Sequence, residues 1–293
     1  MKNYHKSVLL QETLDALNIK AGERYIDGTL GGGGHTSEIL ELGGIILGID
    51  QDKDAIMHVS NSLKNPNLIL SRGNFKNIDE LAAEFNFNDV SGILFDLGVS
   101  SYQLNTPERG FSYLKSGPLD MRMDQRLGVK ASDLVNALGR KELFDLFRDL
   151  GEERRANAVT NLIVSRRKIA PFVTTDDLTL TLATAYGFKS VTDFARAESS
   201  KRVFQALRIL VNDELGSLEE ALPKSIELLK SGGRLVIITF HSLEDRIVKN
   251  AFIKFENENK GRIITKKPIL PTEEEIKVNS RSKSAKLRVF EKI

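Results

Sequence analysis

Residues 25–35 read Tyr-Ile-Asp-Gly-Thr-Leu-Gly-Gly-Gly-Gly-His, and this stretch decides the fold. A short apolar strand ends in Asp27 and runs into five glycines between Gly28 and Gly34, after which a helix is predicted. Glycine lets the backbone turn tightly and leaves room for a ligand against the main chain. A second predicted strand ends in Asp50, an acid that could accept hydrogen bonds from ribose hydroxyls. The pattern favours a nucleoside-binding turn of a Rossmann-like sheet over a glycine-rich linker.

Strand-like and helical segments alternate in the first hundred residues, which predicts a parallel sheet with helices on both faces. The predicted strands are Arg24–Thr29, Gly44–Asp50, Asn67–Asn74 and Ser91–Gly98, and the predicted helices are Ser37–Leu42, Asp54–Leu63 and Ile78–Phe85.

The alternation resumes late in the chain, after a helical region that we expect to be broken near Gly216. This late part comprises helical Lys201–Lys230, a strand over Gly233–Phe240, a helix from Ser242 to about Glu256, and two strands, Ile263–Lys267 and Lys286–Lys292, that could pair as an edge hairpin. Seven strands that end in a hairpin indicate an α/β fold of the class I, Rossmann-like methyltransferase type, with a mostly parallel sheet.

The intervening residues 106–199 show no convincing parallel strand and are predicted to form an inserted helical domain. Its helical patterns are Ala131–Leu138, Lys141–Leu150, Asn157–Ser165 and Asp176–Tyr186. We therefore expect a discontinuous sheet domain over residues 1–105 and 200–293, with the insertion between its halves.

Composition excludes several classes of protein. The 293 residues include no cysteine, so disulfides and thiolate metal sites are ruled out, and the sequence suggests no metal. No apolar run is long enough to span a membrane, and the first residues do not match a secretory signal, so a cytoplasmic protein is expected. The net charge of +2 says nothing about a nucleic-acid partner. A homodimer is compatible with the sequence, although no motif supports it.

Polar residues follow the predicted strands at the ends where α/β sheets bind ligands. Asp96 lies at the end of the fourth strand and is assigned to the site, although an acid before Leu-Gly could simply cap a turn. Phe75 could pack on an adenine ring, but a core position is the more common role for a phenylalanine. His241 is equally compatible with a general base, a substrate contact and a structural histidine. Gln103 could bind a cofactor or lie at the surface.

Basic residues offer two candidate contacts with phosphates. Lys254–Ile293 carries eleven Lys and Arg against six Glu, a local charge of +5, for which a solvated surface is the favoured interpretation. The insertion contains Arg109, Arg122, Arg154 and Arg155, which could contact RNA or pair with the acids beside them in the sequence.

Motifs spread over nearly the whole chain resemble those of the bacterial 16S rRNA cytosine-N4 methyltransferase family, the RsmH or MraW proteins. The matching blocks begin with His-Lys-Ser-Val-Leu-Leu at 5–10, Asp-Gly-Thr-Leu-Gly-Gly-Gly-Gly-His at 27–35 and Gly-Ile-Asp at 48–50. They continue as Asp-Leu-Gly-Val-Ser-Ser at 96–101, Glu-Arg-Gly-Phe-Ser at 108–112, the Gly-Pro-Leu-Asp-Met-Arg-Met-Asp stretch at 117–124, Gly-Glu-Glu-Arg at 151–154, Phe-Gln-Ala-Leu-Arg at 204–208, and 232–246.

The resemblance implies an S-adenosylmethionine-dependent enzyme that methylates N4 of one cytidine in the decoding region of 16S rRNA in the small ribosomal subunit. It also implies a helical insertion, which we expect to help recognise RNA. Carried over by motif, the cofactor residues are Gly33, Gly34, His35, Asp50, Phe75, Asp96 and Gln103. The catalytic candidates are Asp96 and, second, His241, because transfer to a cytosine amine needs an acceptor for its N–H near the methyl group.

Three other functions remain open from the sequence. A methyltransferase acting on DNA or a small amine is one, although the Pro-Pro-aromatic motif of amino-methylating DNA enzymes is absent and Asp-Leu-Gly stands in its place at 96–98. A nicotinamide dehydrogenase is another, but the glycines do not form a clean Gly-x-Gly-x-x-Gly. The third is an RNA-binding protein without catalytic activity.

Overall fold

A computed structural model describes residues 7–293 and divides the chain into two compact units. The sheet unit holds the described residues up to Ser100 together with Leu215–Ile293, and the helical unit is Ser101–Glu214. Within this described part of the chain, no helix is both long and apolar enough to cross a bilayer.

The sheet unit is built on seven strands in the order β3-β2-β1-β4-β5-β7-β6. The strands are β1 (Arg24–Asp27), β2 (Ile45–Asp50), β3 (Leu68–Arg72), β4 (Val90–Asp96), β5 (Leu229–Thr239), β6 (Gly261–Ile263) and β7 (Lys286–Lys292). Strands β1 to β5 are parallel, whereas β7 runs antiparallel between β5 and β6. The sheet is therefore mostly parallel, with an antiparallel edge, as expected for a class I methyltransferase fold.

Helices cover both faces of this sheet. They are α1 (Leu10–Leu17), α2 (Gly34–Glu41), α3 (Lys53–Ser62), α4 (Ile78–Glu84), α11 (Glu214–Leu228), α12 (Ser242–Asn257) and α13 (Glu273–Val278). Consecutive residues of β4 enter opposite cores, because Ile93 and Phe95 belong to one buried cluster and Leu94 to the other. The continuous apolar run of β4 follows from burial on both faces.

The helical unit consists of α5 (Ser101–Asn105), α6 (Ala131–Ala137), α7 (Arg140–Asp149), α8 (Ala156–Arg166), α9 (Thr175–Ala185) and α10 (Asp193–Asn212). The hydroxyls of Thr174 and Thr192 accept backbone N–H bonds at the starts of α9 and α10, which satisfies donors that a helix leaves unpaired. The four helices predicted for the insertion are all present, each within one residue of its expected ends.

The observed units differ from the predicted domain boundaries. The predicted boundary between residues 199 and 200 lies inside α10, which packs against α7 and α9, so the helical unit extends to Glu214. The other boundary lies between Ser100 and Ser101, five residues before the predicted one. The helical break expected near Gly216 occurs at Asp213, whose left-handed backbone (φ 49°) ends α10.

Candidate active site at the strand ends

The glycine turn joins β1 to α2 and leaves no space for a larger side chain at Gly28 or Gly34. A methyl group on Gly28 would overlap the ring of Phe95, and one on Gly34 would overlap the hydroxyl of Ser7. Gly33 has a left-handed backbone (φ 76°) at the residue before α2, a conformation that favours glycine. Close packing below the turn therefore explains part of its glycine content, independently of any ligand.

Asp50, at the end of β2, is bonded to the glycine turn. One carboxylate oxygen accepts from the Gly31 N–H at 2.8 Å, and the other accepts from the Asp52 N–H at 2.8 Å. Burial, followed by the Asp52 and Asp27 charges, raises the pKa of Asp50 to about 6 despite these two bonds. Each oxygen retains a second acceptor position that a ribose hydroxyl could use.

Asp27 lies beneath the turn and is nearly inaccessible, with 2% of its surface exposed. Its carboxylate accepts from the Thr29 N–H at 3.1 Å and from the Thr36 hydroxyl at 2.8 Å. Burial raises its pKa to about 6, and these hydrogen bonds oppose the rise. Asp27 therefore organises the turn from below.

Asp96, at the end of β4, carries an acceptor without a partner. Its Oδ1 is buried and makes no hydrogen bond within residues 7–293, while Oδ2 lies 3.7 Å from His35 Nδ1. Burial, followed by the charges of Asp27 and Glu244, raises the pKa of Asp96 well above its ordinary value. A buried acceptor left unpaired is costly to the fold and rare in proteins. Asp96 therefore has the properties expected of a group that a ligand completes.

His35 orients its ring toward Asp96. Its Nε2 lies 3.1 Å from the Val8 carbonyl oxygen, and because a carbonyl can only accept, Nε2 must carry a proton in this bond. The ring is buried at the start of α2, with Nδ1 on the Asp96 side. Val8 belongs to the 5–10 motif, of which positions 5 and 6 lie outside the described residues.

Phe75 begins a short 3₁₀ helix, Phe75–Asn77, that follows β3, and it is only partly buried. Its ring centroid lies 5.2 Å from that of Phe95 with a tilt of 43°, and it packs against one of the two cores. Both interpretations from the sequence therefore stay compatible with its position, and contact with an adenine ring remains a prediction.

His241 has a structural role as the residue that caps α12. Its Nδ1 accepts the Glu244 N–H at 3.4 Å, and the Glu244 carboxylate accepts from the Phe240 and His241 N–H groups. Nε2 lies 3.1 Å from Glu244 Oε1 without making a hydrogen bond. These contacts favour the structural interpretation of His241, and its catalytic role stays an untested prediction.

Gln103 belongs to the helical unit rather than to the sheet unit. It lies on α5, and 4% of its surface is exposed, so the alternative of a surface residue does not hold. Its contact with a cofactor remains a prediction from the resemblance.

The arginines of the helical unit fall into two groups. Arg109 is buried and donates to the carbonyls of Arg122 and Met123, and Arg122 forms a two-bond ion pair with Asp120. These contacts hold loops of the helical unit together. For Arg122, they agree with the alternative that it pairs with an acid beside it in the sequence. In the C-terminal segment, Lys286 and Arg288 likewise pair with Asp245.

The second group lines a cavity of about 430 Å³. Arg155 donates to the Tyr186 carbonyl at 3.0 Å, and its guanidinium carbon lies 4.7 Å from the centroid of the Tyr186 ring. The rings of Tyr186 and Phe188 are nearly parallel, 7° apart. Among residues 7–293, no hydrogen bond or ion pair holds the Arg154 side chain. The cavity is lined by Arg154, Arg155, Tyr186, Phe188, Glu198 and Arg202.

Comparison with known proteins decides the family. The profile described as the MraW methylase family matches residues 2–293. The chain belongs to the MraW methylase family. Relatives named ribosomal RNA small subunit methyltransferase H, from Carboxydothermus hydrogenoformans and Lachnospira eligens, are each 46% identical over 100% of this chain and 99% of their own. A solved rRNA methylase from Streptococcus thermophilus is 12% identical, with a TM-score of 0.45 over 99% of each chain.

The structure adds two residues that the sequence interpretation missed, Thr29 and Thr36. Both hydroxyls belong to the hydrogen-bond network beneath the glycine turn. The order Asp-Gly-Thr was a signal for Thr29, because a carboxylate often accepts from the N–H two residues later.

Proposed function

We propose that this methylase transfers the methyl group of S-adenosylmethionine to N4 of one cytidine in the decoding region of 16S rRNA. The observation that carries the proposal is the family match along almost the entire chain, joined with relatives named for the small ribosomal subunit. A substrate of this kind would be met in the cytoplasm, and we infer that the enzyme acts there.

The residues at the strand ends fit this cofactor. Asp50 has acceptor positions left for ribose hydroxyls, and the unpaired Oδ1 of Asp96 can accept from a donor placed against β4. Phe75, half-buried beside the turn, offers a ring face for an adenine. We include Gly33, Gly34, His35 and Gln103 in the same binding set by their motifs.

The reaction needs little beyond placement, because the bound cofactor supplies a methyl group that is already activated. The amine of cytosine is a weak nucleophile, since its lone pair is delocalised into the ring. An acceptor for one amine N–H would localise that pair. Asp96 fits this role better than His241. Asp96 Oδ1 is an unpaired acceptor, whereas His241 Nδ1 accepts in a helix cap, so the unpaired Nε2 of a neutral ring carries the proton and cannot accept. The raised pKa of Asp96 makes its ionised carboxylate a stronger proton acceptor.

We further propose that the helical unit recognises RNA through the cavity defined above, lined by three arginines and two aromatic rings. Arginines suit phosphates and aromatic rings suit unstacked bases, and the target cytidine must leave any stack to reach an active site. The other predicted arginines, Arg109 and Arg122, are used within the unit and are not part of this proposal.

Transfer of a radiolabelled methyl group from S-adenosylmethionine to unmethylated 30S subunits tests the proposed reaction. After nuclease digestion, the label is expected in N4-methylcytidine. Label in another nucleoside would contradict the proposed target base. The absence of label, despite cofactor binding, would contradict the proposal that the 30S subunit is the substrate.

Binding of labelled 30S subunits to Arg154→Ala and Arg155→Ala tests the role of the cavity. Both variants should bind the subunit more weakly, with unchanged affinity for S-adenosylhomocysteine. Arg148→Ala is the matched control, because Arg148 is exposed on the same unit and already paired with Asp145 and Asp149. Equal subunit affinity for all the proteins would contradict the proposal.

A further inference from the structure

The hydrogen-bond ladder between β1 and β4 ends just before Asp96, the strand-end acid with the unpaired oxygen. The last main-chain bond between these two segments runs from the Gly28 N–H to the Leu94 carbonyl, at 2.9 Å. If the parallel ladder continued, the next bond would come from the N–H of Asp96, two residues after Leu94 in β4. That N–H would donate to a main-chain carbonyl of the neighbouring segment. The glycine turn has already left the sheet, and the Thr29 hydroxyl accepts the Asp96 N–H at 2.6 Å instead.

The direction of each bond in this network is fixed. Thr29 Oγ1 accepts from the Asp96 N–H, and the Asp27 carboxylate accepts the backbone N–H of the same threonine at 3.1 Å. Asp27 also accepts the Thr36 hydroxyl. A buried carboxylate therefore orients the threonine that holds the Asp96 backbone.

The carboxyl group of Asp96 is held weakly by its own contacts. Oδ1 has no hydrogen-bond partner within residues 7–293, and the separation of Oδ2 from His35 Nδ1, 3.7 Å, is too long for a hydrogen bond. On the other side of β4, pairing with β5 continues through Asp96 and Ile238. The Thr29 hydroxyl is thus the bond that fixes the Asp96 backbone on the side of the glycine turn.

We propose that Thr29 is a positioning residue that sets the place of the Asp96 carboxylate relative to the cofactor. The proposal rests on the proposed function only for the identity of the cofactor. Thr29 acts through Asp96, so the effect of removing its hydroxyl should disappear when the Asp96 carboxylate is already absent. That expectation separates positioning from a general loss of structure.

A double-mutant cycle read by calorimetric titration with S-adenosylhomocysteine tests this coupling. Thr29→Val, which keeps the shape and removes the hydroxyl, should weaken binding about tenfold in the native chain, the scale of one hydrogen bond to a critical group. In the Asp96→Ala background the same change should weaken binding by less than about twofold. Thr29→Ser should restore most of the lost affinity.

Equal weakening in both backgrounds would overturn the proposal, because Thr29 would then act on the turn itself. Unchanged affinity in Thr29→Val, or failure of Thr29→Ser to restore it, would also overturn it. Thermal unfolding verifies that each variant is folded, and Thr29→Ala replaces Thr29→Val if the added methyl group prevents folding. If the wild type binds S-adenosylhomocysteine but transfers no label to 30S subunits, the proposed rRNA substrate is refuted. The double-mutant cycle can still be measured in that case, because it depends only on binding. Wild type that does not bind S-adenosylhomocysteine would refute the cofactor and this proposal together.

Discussion

The acids at the strand ends of the sheet unit and Asp120 of the helical unit are held in opposite ways. In the sheet unit, Asp27, Asp50 and Asp96 end three neighbouring strands without an ion pair to any described Lys or Arg, and burial raises the pKa of each. In the helical unit, Asp120 is bound by two nitrogens of Arg122, and the pKa of Asp120 is lowered. Asp120 stabilises its own loop, whereas the three strand-end acids of the sheet unit are buried at a cost.

This difference tells which charged groups are available to a ligand. Strongly perturbed acids in a cleft are typical of functional sites, because folding alone would not favour them. The comparison also applies to arginines, since Arg109 and Arg122 are used by the fold while Arg154 faces a cavity. Residue type alone does not tell a structural charged group from one available to a ligand. The bonding partner of each group does.

The largest effect on methyl transfer is expected from Asp96→Asn, at the carboxyl end of β4. Replacing the carboxylate by an amide keeps its shape and removes the proton acceptor, so methyl transfer should fall by about 10²–10⁴-fold. The initial rate of label transfer to 30S subunits measures this, with circular dichroism as the control for folding. A rate within threefold of wild type would show that Asp96 is not the acceptor.

Glycine substitutions should separate the tightly packed turn from an open loop. Gly28→Ala forces a methyl group against Phe95 and should lower the free energy of unfolding by about 1–3 kcal/mol. Gly128→Ala is the matched control, because nothing lies within 4 Å of the added carbon, and it should change stability by less than about 0.5 kcal/mol. Urea denaturation measures both. Equal effects would contradict the packing described for the turn.

Arg122→Ala should destabilise the helical unit by about 1–2 kcal/mol, because it removes a two-bond ion pair and bonds to two backbone carbonyls. Arg154→Ala should leave stability within about 0.5 kcal/mol of wild type. Hydrogen exchange, resolved by peptide, would localise the loss to the helical unit. If Arg154→Ala proved the more destabilising, the division of the arginines into structural and ligand-facing groups would be wrong.

The smallest effect concerns the pH dependence of stability. The pKa of Asp50 is about 6 in the folded chain and near 3.8 when it is unfolded. Between these values the folded form binds more protons, so the penalty for burying this charge is fully present above pH 6 and disappears as pH falls toward 4. Wild type should therefore gain stability relative to Asp50→Asn on going from pH 7 to pH 5. A constant difference would contradict the raised pKa.

The strands and the acids at their ends were predictable from the sequence, because buried parallel strands are continuous apolar runs and their carboxyl ends share one edge. Asp50 and Asp96 lie where that argument places them. Helices α1, α5 and α13 were not predicted, and β6 ends at Ile263, the residue at which the expected strand begins. The short α13 begins with three consecutive glutamates after Thr272 and buries no side chain, so it lacks an apolar pattern.

Contacts between distant segments could not be predicted. The Thr29 bond to Asp96 exists because the β1–β4 ladder ends at that point, which is a property of the assembled sheet. The burial of Arg109 depends on two loop carbonyls. The capping role of His241 had a signal, a glutamate three residues later, although histidine is not among the usual capping residues.

Single-turnover methyl transfer, followed over a range of 30S concentrations, tests the division of labour between the two units most directly. Wild type, Asp96→Asn and Arg154→Ala are compared with saturating S-adenosylmethionine. The account predicts that Asp96→Asn lowers the maximal rate and leaves the half-saturating 30S concentration near that of wild type. Arg154→Ala should raise the half-saturating concentration and leave the maximal rate near that of wild type. The reverse pattern, or a change of both constants in both variants, would contradict it.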